Sequence, residues 1–154
     1  MATGHLGLST LHADSVEGVV HRLETKPMNI PRTLISGLNI VTIQARMEKR
    51  RRTVISTEIV GIDPRTNEII TNELFRWDAK TDSYRYSGRS YLLERIAQKT
   101  GKTLREIREE VDRRRNILEW MMKNNIRSFK EVTEIIREYY TSPEEILKTV
   151  KIGA

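Results

Sequence analysis

The sequence predicts a mixed α/β fold, β-rich in its first half and helical in its second, on three observations. Polar, β-branched runs at residues 53–62 and 68–77 flank the turn-forming cluster Asp63-Pro64-Arg65-Thr66-Asn67, the pattern of a hairpin. From Ser90 onward, Ser/Thr-x-x-Glu signatures recur ahead of apolar stripes of helical spacing. The composition shifts near Ser87-Gly88-Arg89, which puts the expected boundary between a part over 1–88 and a helical part over 89–154.

Length and composition bound the rest. The 154 residues are roughly one domain's worth. With 38% hydrophobic residues the chain can bury a core, and with 31% charged residues much of its surface is solvated. The net charge of +6 suits an acidic partner such as nucleic acid, a nucleotide, an anionic membrane or an acidic subunit. Absence of cysteine excludes disulfide and thiolate chemistry and fits a reducing cytoplasm. No apolar run approaches the ~18–20 residues that span a bilayer. The first residues lack the basic and apolar regions of a signal peptide.

Along the chain, Leu6 to Leu11 reads as a short buried strand. Asp14-Ser15-Val16-Glu17 reads as a capping box with Asp14 as the cap. It opens a helix whose apolar face is Val16, Val19, Val20 and Leu23. Pro27 and Pro31 bracket a turn. A short helix over 32–38 and a buried strand over Leu38–Ala45 follow. The two hairpin runs come next, with a third strand near Tyr84–Tyr86. In the tail, Thr103-Leu104-Arg105-Glu106 and Ser128-Phe129-Lys130-Glu131 are capping boxes. Pro143 stands at a first helical position, where its missing N–H costs little. Stripes at Leu104, Ile107, Val111, Leu118, Met121 and at Phe129, Val132, Ile135, Ile136, Tyr139 predict a bundle of about four helices.

Three features suggest chemistry. Gly101-Lys102-Thr103 looks like the end of a phosphate-binding loop, but Ile96 stands where that motif needs its first glycine. A preceding strand is also wanting, so the run reads as a helix C-cap followed by an N-cap. His5, His12 and His21 are spaced too widely for a zinc site, and no cysteine completes one. His12, at the end of the predicted strand and before a helix, could donate to a phosphate oxygen. It could equally hydrogen-bond across the strand end, and spacing leaves the two readings open.

The run Thr3-Gly4-His5-Leu6-Gly7-Leu8-Ser9-Thr10-Leu11-His12-Ala13-Asp14 resembles the His box of type II/type IV secretion-system ATPases, most of all the archaeal branch that drives archaellum and type IV pilus assembly. Val19-Val20-His21-Arg22-Leu23, Gln44-Ala45-Arg46, Thr57-Glu58-Ile59-Val60 and Asn72-Glu73-Leu74-Phe75-Arg76-Trp77-Asp78 are similar to the same family. So are Tyr86-Ser87-Gly88-Arg89-Ser90-Tyr91 and Ile135-Ile136-Arg137-Glu138-Tyr139-Tyr140.

The resemblance implies the C-terminal part of such a motor: a partial RecA-like sheet with a β-ribbon, α+β by itself, then a C-terminal helical bundle. It also implies His5, Thr10 and His12 near a terminal phosphate, with Arg22, Gln44 and Arg46 near the nucleotide or a subunit interface. The family's phosphate-binding loop, Asp box and Walker B segment have no counterpart in the sequence. Phosphoryl transfer needs those parts together, so no ATP hydrolysis is expected of this chain alone. ATP and Mg²⁺ would belong to the intact hexamer, at the cytoplasmic face of the membrane and bound to a membrane platform protein.

The strongest basic run is Arg46-Met47-Glu48-Lys49-Arg50-Arg51-Arg52. It reads as a phosphate patch, a solvated charged turn, or an interface loop. No aromatic residue interleaves it, which argues against a surface that stacks single-stranded bases and against nucleic acid as partner. Tyr84, Tyr86, Tyr91, Tyr139 and Tyr140 read instead as core or boundary residues. The alternative to the motor reading is a stand-alone basic module that docks on an acidic protein or on nucleic acid.

Overall fold

The computed structural model describes residues 6–47 and 50–152. The fold is mixed α+β, a four-stranded antiparallel sheet with six helices among the described residues. The chain divides into two compact units, one ending at Arg95 and one starting at Ile96.

In the first unit, α1 (Val16–Glu24) and α2 (Arg32–Ile35) precede β1 (Ile40–Met47), β2 (Arg50–Ile62), β3 (Ile69–Asp78) and β4 (Ser83–Tyr86). The strands form a meander in the order β1-β2-β3-β4, so β1 and β4 are its edges. Ile43 pairs with Ile55, Glu58 with Asn72, and Phe75 with Tyr86. Register shifts interrupt β1–β2 once and β2–β3 twice. Val16, Val19, Ile35, Ile43, Ile59 and Leu74 are buried.

Local chemistry explains the turns. Asp63 Oδ1 accepts from the Arg65 and Thr66 amides at 2.7 and 3.1 Å, and Asn67 takes the left-handed conformation with φ 58°. In the β3–β4 turn, Asp78 Oδ1 accepts from Lys80 N at 2.8 Å, and Asp82 is left-handed with φ 49°. Both are side-chain-to-backbone turns of the kind Asp and Asn favour.

Two local expectations are corrected. The cap of α1 is Ser15, whose Oγ accepts from Gly18 N at 3.0 Å, so the capping role falls one residue after Asp14. Leu6 to Leu11 forms no strand, and Leu6 and Leu8 are fully exposed at 102% and 103%. A strand is a pairing of backbones rather than an apolar composition. This run, interrupted by Gly7 and Ser9, joins no ladder among the described residues.

Helix α3 (Tyr91–Thr100) starts in the first unit and ends in the second. Gly101, at φ 67°, closes it as the left-handed C-cap that glycine adopts without strain. The second unit continues with α4 (Leu104–Lys123), α5 (Phe129–Thr141) and α6 (Pro143–Ile152). Thr103 and Glu106 cap α4 reciprocally, and Ser128 Oγ accepts from Glu131 N at the start of α5. Ile117, Met121, Ile146 and Val150 form the buried core of this unit, with Trp120, Ile126 and Tyr139 packed against it.

Candidate functional site

The residues singled out by sequence fall on three separate elements. Thr10 and His12 lie exposed in the segment before α1. His5 lies outside the described residues. Arg22 is exposed in the last turn of α1. Gln44 and Arg46 are exposed on β1, where Gln44 Nε2 donates to Thr53 Oγ1 at 2.6 Å and Arg46 stands opposite Arg51.

Beside α1 is a cleft of about 360 Å³, lined by Val16, Val20, His21, Arg32, Glu68 and Thr71 among others. Arg32 closes one side. Its Nη2 donates to Glu24 Oε2 at 2.6 Å, its Nε donates to the other oxygen, and its Nη1 donates to the Asn67 carbonyl at 2.8 Å. This fork ties α1, α2 and the β2–β3 turn together. The hydrogen bond from Arg32 holds the Glu24 carboxyl below its usual range, against a smaller opposing effect of desolvation. No group of three histidines or carboxylates that could hold a metal ion exists among the described residues.

The most enclosed polar site was not legible in sequence. Glu58, on β2, is 1% exposed and faces no cation in its hydrogen-bond set. Its carboxylate accepts from Tyr91 N at 2.9 Å, Leu92 N at 3.1 Å, Asn72 Nδ2 at 2.9 Å and the Ser90 hydroxyl. Ser90 Oγ in turn accepts from Leu93 N at 3.2 Å, and Glu94 N donates to the Ser90 carbonyl at 3.3 Å. The first-turn amides of α3 are thereby all satisfied. Burial pushes the Glu58 carboxyl up, but the bonds from Ser90, Asn72, Leu92 and Tyr91 outweigh it and leave the group below its ordinary value. The signal was present only as a glutamate inside a β-rich run.

At the other end of the sheet, the basic run is partly neutralised. Arg52 grips Asp82 with Nε at 2.8 Å and Nη2 at 2.7 Å, and Arg50 Nη1 adds a contact at 3.2 Å. Trp77 Nε1 donates to the same carboxylate at 2.8 Å. Arg52 and then Trp77 hold the Asp82 carboxyl well below the usual carboxylate range. In the second unit, the Tyr139 hydroxyl donates to Glu110, which Arg113 and Arg114 also contact.

Residues 80–153 match the family described as PilB3-like, C-terminal. That match supports a C-terminal domain related to those of pilus and secretion ATPases; the run over residues 3–14 lies outside it. Three proteins of Methanocaldococcus jannaschii are similar over most of the chain. Uncharacterized protein MJ1287 is 41% identical over 143 residues, covering 90% of this chain and 53% of its own length. Uncharacterized protein MJ0900 is 35% identical over 148 residues, 91% of this chain and 27% of its own length. Uncharacterized protein MJ0781 is 28% identical over 146 residues, 92% and 20%. The chain thus spans about half the length of the first of these relatives and a smaller share of the others. No described helix is long and apolar enough to cross a membrane.

Proposed function

We propose that this chain is the C-terminal part of a hexameric secretion or pilus-assembly ATPase. The observation that carries the reading is the family match over residues 80–153, from β4 through the helical tail. The similarity to portions of longer proteins is consistent with it. In this reading His5, Thr10 and His12 face the terminal phosphate of ATP, and Arg22, Gln44 and Arg46 serve the nucleotide or a neighbouring subunit. The partners are further copies of the motor and a membrane platform protein, at the cytoplasmic face of the membrane.

The residues present fit one part of the nucleotide. Thr10 and His12 are exposed and offer a hydroxyl and an imidazole donor to a phosphate oxygen. Mg²⁺ and the triphosphate chain would be held by the phosphate-binding loop of the rest of the motor, which supplies charge neutralisation when bound. His12 then acts by position, donating to the terminal phosphate as charge develops there.

The chain by itself is expected to release no phosphate from MgATP in a malachite-green assay. Joined behind a nucleotide-binding half that bears a phosphate-binding loop, it is expected to support turnover. His12→Ala should lower that turnover about a hundredfold, the loss typical of removing one transition-state donor. A joined protein without turnover, or one indifferent to His12→Ala, would overturn the reading.

A further inference from the structure

The β3–β4 ribbon carries a surface that the motor reading leaves unused. Phe75 stands opposite Tyr86, and Trp77 opposite Tyr84. Alternate residues of a strand share a face, so four aromatic side chains lie together on one side of the sheet. The Phe75 and Tyr86 rings sit 5.0 Å apart, tilted by 31°. Phe75, Tyr84 and Tyr86 are 41%, 49% and 43% exposed, which is not how core residues are placed.

The cations are next to them. Asp82 accepts from Trp77 and from both Arg50 and Arg52, so the outer end of β2 brings its arginines to the aromatic ribbon. Because Asp82 satisfies the indole N–H, Trp77 has only its ring faces left to offer. The Arg50 side chain stays 73% exposed in spite of its contact with Asp82. Lys80 is exposed at the same end of the meander. The basic run has no aromatic neighbour along the chain, yet through Asp82 the sheet sets it at the Trp77 end of the aromatic ribbon.

We infer that this face is a stacking platform for single-stranded nucleic acid. Aromatic rings on an open face of a four-stranded antiparallel sheet can stack about two or three bases. Such stacking tolerates any base, because every base has a π-face. Arg50 and Lys80 complement the phosphates, in keeping with the chain's net charge of +6. A duplex hides its base faces within its own stack, and an acidic protein segment would meet the arginines but leave the rings without flat partners. Single strands are therefore the favoured occupant. The inference stands on the ribbon alone and survives the loss of the motor reading.

The test is fluorescence anisotropy of the whole chain with labelled oligothymidylate and oligouridylate, with the matching duplex and anionic phospholipid vesicles as competitors. Single strands should bind at low salt and weaken with a log–log slope of about −0.7 per phosphate contacted. Phe75→Ala combined with Tyr86→Ala should loosen binding about tenfold or more, whereas Tyr86→Phe, which keeps the ring, should retain it. An unchanged circular dichroism melt separates lost stacking from lost fold. If the double variant unfolds, Arg50→Glu with Lys80→Glu replaces it, and the same loss is expected. No binding, preference for duplex or vesicles, or equal affinity after removal of the rings would each overturn the proposal.

Discussion

Helices α3 and α4 follow each other across Gly101, yet their first turns are held by different means. Helix α4 is capped from within three residues: Thr103 Oγ1 accepts from Glu106 N at 3.2 Å, and Glu106 accepts from Thr103 N at 2.7 Å. Helix α3 has Ser90 as its local cap but depends on Glu58, which reaches Tyr91 and Leu92 from the middle of a strand. One start is complete within its own segment. The other is complete only when the sheet has formed beneath it. The comparison separates local order from order imposed by tertiary structure, and it ranks the two by cost of removal.

Glu58→Ala should have the largest effect. It strips an acceptor from two part-buried amides, the buried Ser90 hydroxyl and the Asn72 amide at once, and leaves a void. A loss of about 3 kcal/mol or more is expected in urea denaturation, since bonds to a charged acceptor are the strong ones and buried orphans carry their full desolvation penalty. A loss under about 1 kcal/mol would show that α3 does not need the sheet to hold its start.

The same carboxylate gives a pH signature, one from a buried group rather than from the exposed Glu106 of the local cap. Its folded pKa is lowered from the ordinary value of 4.5, so its contribution is fully present above 4.5 and is lost as pH falls through the lower folded value. The stability difference between the wild type and Glu58→Gln should be flat from neutral pH down to that region and then shrink. Urea titrations at a series of pH values check this, and a difference that grows on acidification would contradict it.

The smallest effect should come from Thr103→Ala, about 1 kcal/mol, with fraying confined to the first turn of α4. Amide hydrogen exchange around Glu106 would show it. If this substitution cost as much as Glu58→Ala, the distinction between the two starts would collapse.

What the sequence made legible follows the same division. The Thr103 and Ser128 caps, the Asp63–Asn67 turn and the proline at the head of α6 are signals written within a few neighbouring residues, and each appears where expected. Glu58 was silent because its partners lie 14 and 32 to 34 residues onward. A glutamate in an alternating run otherwise reads as a solvated side chain. Leu6 to Leu11 misled for the opposite reason: its apolar content suggested burial, but pairing needs a neighbouring backbone. Tyr84 and Tyr86 were read as core or boundary residues from their type alone, while register places them with Phe75 and Trp77 on an open face. The basic run reads as a phosphate patch, a solvated charged turn or an interface loop, and Asp82 as its neighbour becomes visible only once β2 and the β3–β4 turn are set in one sheet.

The Glu58 clasp also has a consequence for biosynthesis. Its acceptor is translated 32 residues before the Ser90 donor. The carboxylate therefore exists, hydrated, before any α3 residue is available to cover it. The first turn of α3 meets a finished anion rather than assembling one. The acceptor of the clasp is thus made before the helix start whose amides dehydrate it, so α3 cannot be clasped until both segments exist.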